Sequence, residues 1–398
     1  MTAGIERNLK LVSAHKILAS SYVWIPVMVL LTRARFGLED AIILSAVYYL
    51  FVVVIEVPSG WMSDRFGRVL TLRIAAASWM VAHTFFAFGG ERLWMFVVGQ
   101  ALMAVGFASL SGTDVSFHYD SLEALDRASE YPARESRVAS RGYIATTAAA
   151  VTGGAIGLID LEWPFILAAL LAAAQFILTF RLTEPPAGDA DRFIRHVGRS
   201  ARYLREPMLG WLFFYGIVMV TLEHVAFTPL QPWLTEALGE TASDVGSTPL
   251  VSGLVIASFS LIGSLAARHA DHMGRRLGVP WALISLGVLS AVIISTMAAS
   301  THLVVLAVIA FRSVQGAASP ILLSSSIAPR TAQEHRATLL SLNSLAGRLG
   351  YGLILLTIAR GIEDNLQPAL NALTTISWLL IAALVVTLAG AKQRQRSH

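Results

Sequence analysis

The sequence predicts an all-α integral membrane protein, with twelve transmembrane helices in two pseudo-symmetric six-helix bundles. Three observations carry that expectation. The chain of 398 residues is 55% hydrophobic and only 14% charged, with a mean hydropathy of +0.63, whereas soluble proteins average roughly 25% charged residues. Apolar runs long enough to cross a bilayer, which takes about 20 residues of helix, recur along its whole length. A short charged motif returns at the matching place in each half, the mark of a parallel repeat about an axis normal to the membrane.

In chain order the apolar windows are 12–32, 41–62, 69–88, 93–117, 142–160, 163–181, 208–231, 246–267, 279–299, 302–326, 338–359 and 368–390. Trp24-Ile25-Pro26 interrupts the first, because proline removes a backbone donor and clashes with the preceding turn. An even count places both termini on one side. Loops on that side hold Arg7, Lys10 and Lys16, then Arg65, Arg68 and Arg73, then Arg127, Arg134, Arg137 and Arg141. The same side continues through Arg181, Arg192, Arg195, Arg199, Arg202 and Arg205 to Arg268, Arg275, Arg276, Arg330, Arg336 and the C-terminal Lys392, Arg394 and Arg396. Only Arg33, Arg35, Arg92 and Arg360 face the other side. The positive-inside rule therefore puts both ends in the cytoplasm, and the basic pI of about 9.5 is a topology signal rather than a nucleic-acid footprint. Residues 182–207 form the longest connection. Glu184-Pro185-Pro186 stands at its head and a surface helix is expected through Phe193 to Leu204, between an N-terminal bundle at 1–181 and a C-terminal bundle at 208–398. Met1 to Lys16 lacks the order of a secretory signal. Without cysteine, disulfides and thiolate metal sites are excluded.

The repeated motif is GWMSDRFGRV, Gly60 to Val69, against RHADHMGRRL, Arg268 to Leu277. Both contain D-x-x-G-R: Asp64, Gly67 and Arg68 align with Asp271, Gly274 and Arg275. Each follows the second span of its half. The first copy, with Arg65, resembles the signature loop G-x-x-x-D-R-x-G-R of the major facilitator superfamily, and the second resembles its degenerate counterpart. Span count, loop spacing and the central loop extend the resemblance over the whole chain, toward the drug–proton antiporter branch. In the second copy Ala267 replaces the first glycine and His272 the first arginine. The resemblance implies a latch: Asp64 would meet the start of span eleven near Ala337, favoured by the positive end of that helix. Arg68 would pair with Asp120 at the end of span four, and Gly60 would let two helices approach closely. The other reading is an ordinary charged turn, which accounts for the arginines but not for Gly60, Asp64 and the repeat.

An ionisable side chain at mid-membrane costs roughly 2.5–3.5 kcal/mol on insertion scales, so each asks for a reason. Span four carries Gln100, Phe107, Ser111, Asp114 and His118 on one helical face. Asp114 is either a proton carrier or a second partner for the motif arginines. Span seven stacks Tyr215, Met219, Glu223, Phe227 and Gln231 at four-residue steps. Glu223 there suits proton or cation binding, or else a neutral hydrogen-bonded bridge; His224 points elsewhere and reads as structural. Glu56, four residues before Gly60, reads as structural or gating. His83 is assigned nothing. In span ten, Arg312, Gln315 and Gly316 resemble the R-x-x-Q-G element of span four in proton-coupled members, although here span four has Gln100 in place of its arginine. Arg312 and Arg348 would hold an anionic substrate, neutralise Glu223, or pin helices through an ion pair. Ala149, Gly153 and Gly157 form a close-packing stripe in span five that partly matches the antiporter motif of that branch.

No metal-spaced His/Glu cluster, G-x-S-x-G elbow or Walker loop is present in the sequence. The expectation is therefore a secondary transporter rather than an enzyme, with no cofactor or metal, acting as a monomer on a small-molecule substrate and protons in a bacterial inner membrane. Export of small, partly hydrophobic compounds is the first reading. Uptake, or export of one dedicated and anionic metabolite, is the alternative, and a transporter-like sensor is a third. Tyr22, Trp24, Phe107, Phe227 and Trp233 are the aromatics expected near a central cavity.

Overall fold

The computed structural model describes residues 2–186, 204–241, 244, 246–327, 330, 333–359 and 365–396. The surface helix expected through Phe193 to Leu204 lies almost wholly outside them. Among the described residues every regular element is helical. The first half holds α1 (Thr2–Ala19), α2 (Met28–Phe66), α3 (Arg68–Phe88), α4 (Leu93–Leu110), α5 (Thr113–Glu123), α6 (Tyr131–Gly157) and α7 (Trp163–Thr179). The second holds α8 (Pro207–Val225), α9 (Leu230–Ala237), α10 (Thr248–Leu277), α11 (Val279–Ala299), α12 (Val305–Ile309), α13 (Arg312–Ile327), α14 (Gln333–Ala359) and α15 (Gln367–Arg396).

All twelve apolar windows fall on helix, but not all as single spans. Among the described residues eight helices are long and apolar enough to cross a membrane, or nine if the pair Thr248–Gly263 and Leu265–Leu277, bent by 43°, counts as one. The other three windows depart for local reasons. The first is split between Ala19 and Met28, around the expected Trp24-Ile25-Pro26 interruption. The fifth lies in α6, where glycine, threonine and a polar start dilute the hydropathy. The sixth is the 17-residue α7. Span four is also broken: α4 ends at Leu110, and Gly112 turns the chain with φ +76 before α5. The single continuous face expected from Gln100 to His118 is therefore divided.

The chain separates into two compact units, Met1–Ala190 with Ser243–Ala257, and Asp191–Ala242 with Ser258–His398. The first turns of α10 join the first unit because Gly253 sits against the backbone of Ala150 and Gly154 on α6. Within that unit α3 and α4 run antiparallel. Gly99 and Gly106 form hollows, seven residues apart, that receive the rings of Phe86 and Trp79, and Trp79 Nε1 donates to the Met103 carbonyl at 3.2 Å. This is the close approach that small residues permit where lipid gives helices no hydrophobic reason to associate.

The second unit is organised around α8. One face pairs antiparallel with α13, and another lies parallel to α14. On the α14 side, Gly216 abuts Asn343, Gly347 abuts Val220, and the His224 ring lies 5.5 Å from that of Tyr351. These three contacts share one register offset, as two straight helices running the same way require.

Candidate functional site

The polar stripe predicted on span seven meets the R-x-x-Q-G element of span ten, residue for residue. Tyr215, fully buried, exchanges a hydrogen bond with Ser319 Oγ at 2.7 Å. One turn along, the backbone carbonyl of Met219 accepts from Gln315 Nε2 at 3.2 Å. Glu223 then lies in a notch at Gly316: a Cβ there would stand 2.7 Å from Oε1 and 3.1 Å from Cδ. Finally Phe227 carries the Arg312 guanidinium over its ring at 4.6 Å, and the Phe259 ring lies 5.2 Å from the same guanidinium. Four-residue steps from Tyr215 to Glu223 on α8 and three- or four-residue steps on α13 set facing stripes, with Phe227 in the turn just past α8 and Phe259 on α10.

Glu223 is half-buried, and the absence of a side chain at Gly316 makes its place. Glu223, Arg312 and Arg348 all act electrostatically on His224, so an acid, two guanidiniums and an imidazole share one neighbourhood within the second unit. His224 faces α14, as expected of a structural residue: its Nδ1 meets the Val220 carbonyl at 2.7 Å. Tyr351 completes that side through Thr228 Oγ1 at 2.7 Å and the His224 carbonyl at 3.0 Å. Sequence reasoning passed over Tyr351, although its offset from His224 matches that of Asn343 from Gly216. Arg312 pins helices through aromatic faces, a stronger interaction where water is excluded.

The charge knot of the first unit is built around Arg68. Its Nε reaches Asp120 Oδ2 at 3.2 Å, the predicted partner, and its NH1 reaches Ser63 Oγ at 2.9 Å. Gly67 has φ +104, a left-handed value that glycine tolerates best, and ends α2 so that α3 begins at once. A residue unassigned from the sequence closes this corner. Glu184, at the head of the central connection, accepts from the backbone N–H of Arg68 at 2.6 Å and of Val69 at 2.8 Å. It occupies the positive end of α3, where unpaired donors gather. The signal was the acid before Pro185-Pro186, which by composition alone marks only the start of a linker.

Other expectations are redrawn. Among the described residues nothing stands within 4 Å of a Cβ built on Gly60, so none of them makes the close approach expected there. Arg65 is exposed and stacks on Trp61 at 5.7 Å. Asp64 and Ala337, whose pairing the resemblance implies, lie outside the described side chains. In the second copy α10 continues past Gly274 and ends at Leu277, so that the break falls at Gly278, four residues after Gly274, with φ +75. Asp271 and Arg275 form an exposed pair on one helix, while a Cβ on Gly274 would stand 2.7 Å from Leu322, so the glycine makes room for that side chain.

Among the described residues Asp114 pairs with Lys16 rather than with a motif arginine. The break after Ser111 places it in the first turn of α5, where Oδ1 accepts from the Val115 N–H at 2.9 Å and Oδ2 pairs with Lys16 Nζ at 2.8 Å. Gln100 is buried against the Met28 sulfur at 3.9 Å, so it takes the arginine's place in span four as a packing residue. Glu56 is half-buried in α2, and its carbonyl accepts from Ser59, which also bonds the Ala108 carbonyl of α4 at 3.0 Å. Tyr22 and Phe107 stack at 6.4 Å, with Trp24 edge-on to Tyr22. Trp233 is wholly buried and donates to the Met297 carbonyl at 3.0 Å; it is part of the packing, not a cavity wall.

A family model described as Major Facilitator Superfamily matches residues 17–355. Among solved structures, the chain resembles a crystal structure of the nucleoside transporter NupG at TM-score 0.74 and 12% identity, over 96% of this chain and 99% of that one. A bacterial homologue of the iron transporter ferroportin, in an inward-facing state, gives TM-score 0.72 and 14% identity over 96% and 98%. A D-xylose-proton symporter gives 0.63 and 13% over 94% and 96%. At such identity these likenesses establish the fold. No curated protein matches the sequence.

Proposed function

The chain belongs to the major facilitator superfamily, and from that premise we propose that it exports small, partly hydrophobic compounds in exchange for protons. As a member it is a multi-pass membrane transporter of small molecules and not an enzyme. Proton coupling, direction and substrate class are our reading, as are alternating access between the two halves, a single-chain working unit and cytoplasmic termini in a bacterial inner membrane.

One observation carries the reading: Glu223 sits in the Gly316 notch, half-buried, where α8 meets α13. A charged carboxylate within a span is costly, by roughly 2.5–3.5 kcal/mol on insertion scales; a protonated one is much less so. Proton uptake and release at Glu223 therefore alter how favourably the α8–α13 contact forms, and Arg312 and Arg348 supply positive charge when the proton leaves. A group whose charge state biases a helix contact can couple a gradient to a conformational change. The small-residue stripe supports export, the direction implied by its partial match to the antiporter motif: a Cβ on Gly153 would run into the Val23 carbonyl, and one on Gly157 would stand 3.0 Å from Pro249.

The test is reconstitution in vesicles with an imposed pH gradient and a fluorescent amphiphile as cargo. Wild-type protein should drive accumulation on the side that supplies the protons. Glu223→Gln should abolish the proton dependence while the protein folds and binds cargo. An unaltered pH profile in that variant removes Glu223 from the mechanism. Two arginines beside one glutamate favour a second reading, a dedicated anionic metabolite. Under it, Arg348→Gln would abolish binding of the anion and leave transport of neutral amphiphiles absent in both proteins.

A further inference from the structure

Away from the α8–α13 contact, a cleft of about 370 Å³ opens between α1, α5 and α6 in the first unit. That lies within the range of about 300–1,000 Å³ usual for small-molecule sites. Arg134, Arg137, Val138 and Arg141 line it from α6, at the spacing that puts residues on one helical face. Lys10 and Ser13 face them from α1, beside Leu9 and Val12. His118 forms the floor: it is 1% exposed, and its Nδ1 is held by Glu135 Oε2 at 2.6 Å. No acid is among the residues that line the cleft.

We infer that this cleft binds a phosphate-bearing anion. Arg141 NH1 bonds Ser13 Oγ at 2.7 Å, and Arg134 Nε bonds Glu130 at 2.7 Å. These contacts orient the two guanidiniums while using one of the five N–H donors that each carries. Glu130 itself is occupied by Arg127 and Arg134, which hold its carboxyl down at about 2. Three guanidiniums and an ammonium around one opening offer more donors than the two oxygens of a carboxylate can accept. Inorganic phosphate presents at least three free oxygens to them, and a phospholipid's diester presents two with the hydroxyls of a glycerol headgroup beside them, in the bidentate geometry arginine favours. The cleft also sits at the charged start of α6, just before that helix turns apolar. Leu9, Val12 and Val138 line it beside the charges. That combination suits both an anionic phospholipid headgroup and a soluble phosphate.

The experiment uses the full chain purified in detergent. Native mass spectrometry and thermal unfolding are followed with phosphatidylglycerol, with phosphatidylcholine, and with inorganic phosphate against chloride at equal ionic strength. The proposal expects phosphatidylglycerol to be retained and to raise the melting temperature, and phosphatidylcholine to do neither. The double variant Arg137→Gln/Arg141→Gln should weaken retention at least tenfold. A matching rise with inorganic phosphate identifies phosphate alone as sufficient; a rise with the lipid only identifies the headgroup in its bilayer setting. Equal retention of both lipids, or no response to either probe beyond chloride in the wild-type protein, overturns the site. So does binding undiminished in a folded double variant, and the wild-type comparison decides the matter if that variant does not fold.

Discussion

Replacing Gly316 with alanine separates the stability of the α8–α13 contact from its proposed chemistry. Gly316 is helical, so alanine adopts its backbone without strain and favours the helix by about 0.8–1.0 kcal/mol. Its Cβ would stand 2.7 Å from Glu223 Oε1. To reach an ordinary separation of 3.4 Å, the carboxylate must retreat by about 0.7 Å, an off-rotamer shift that costs roughly 0.5–1.5 kcal/mol. The two effects nearly cancel. The melting temperature in detergent should therefore move by less than about 2 °C, given about 2–4 °C per kcal/mol for domains of 150–250 residues. Transport should respond more strongly. A carboxylate expelled from its notch meets a different surrounding, so the proposed coupling through the α8–α13 contact should change. The assay is uptake in vesicles as a function of internal pH, with the pH midpoint expected to move. Gly216→Ala is the control. Its Cβ would enter the buried Asn343 amide, whose Nδ2 donates to the Phe213 carbonyl at 2.5 Å. Breaking that bond costs about 1–3 kcal/mol, so this variant should melt several degrees lower. A Gly316→Ala protein with unchanged stability and an unchanged pH midpoint would refute the reasoning.

Three further outcomes follow from the first unit. Gly67→Ala imposes a Cβ on a positive-φ, extended backbone that is nearly glycine-only, at about 1–3 kcal/mol, and drives it to 2.7 Å from the Glu184 carboxyl. Because that clash already displaces the Glu184 cap, adding Glu184→Ala should lower the melting temperature no further; additive losses would separate the two residues. Arg68→Gln and Asp120→Asn should show a coupling of about 0.2–1 kcal/mol in a double-mutant cycle, as for other partly exposed pairs, and zero coupling would remove the pair from the corner. Glu130 titrates near 2 rather than at its ordinary 4.5 because Arg127 and Arg134 hold its charged form. Its contribution is full above about 4.5 and is lost as the pH falls through 2, so Glu130→Gln should flatten the acid limb of the melting curve between those values. An identical limb in the variant would count against it.

The sequence displayed hydropathy, helix periodicity and the repeat openly, because each is local or strictly spaced. The stripe from Tyr215 to Phe227 and the element from Arg312 to Gly316 were both visible. Their meeting was not, since pairing between distant helices leaves no trace in either one alone. Glu184 was hidden for the same reason: a linker acid becomes a cap only once the chain returns to α3. The span-four face misled because one glycine, Gly112, turned a continuous period into two helices and carried Asp114 to Lys16. Gln100 and Trp233 show the opposite error. A polar or amphipathic side chain in a span suggested a cavity, yet Trp233 satisfies its indole N–H within the packing, and the Gln100 amide nitrogen lies buried against the Met28 sulfur.

The two motif copies share letters without sharing geometry. In the first, Gly67 is itself the break, so the next residue starts a helix whose free N–H groups recruit Glu184, and Arg68 is placed to reach Asp120. In the second, the helix absorbs Gly274, and the break moves to Gly278. Asp271 and Arg275 then stand one turn apart on the same surface and satisfy each other, which is worth only about 0.3–0.5 kcal/mol for an exposed pair. Moving a left-handed glycine by four residues is thus enough to turn a corner that ties three chain segments together into a solvated turn. Restoring the first geometry would take more than His272→Arg, because that change leaves the break where it is. Measured by melting temperature, His272→Arg should move the second half by less than about 2 °C, since exposed substitutions usually stay within about 0.5 kcal/mol. A large stabilisation from that single change would show that residue identity, not the position of the break, sets what the motif does.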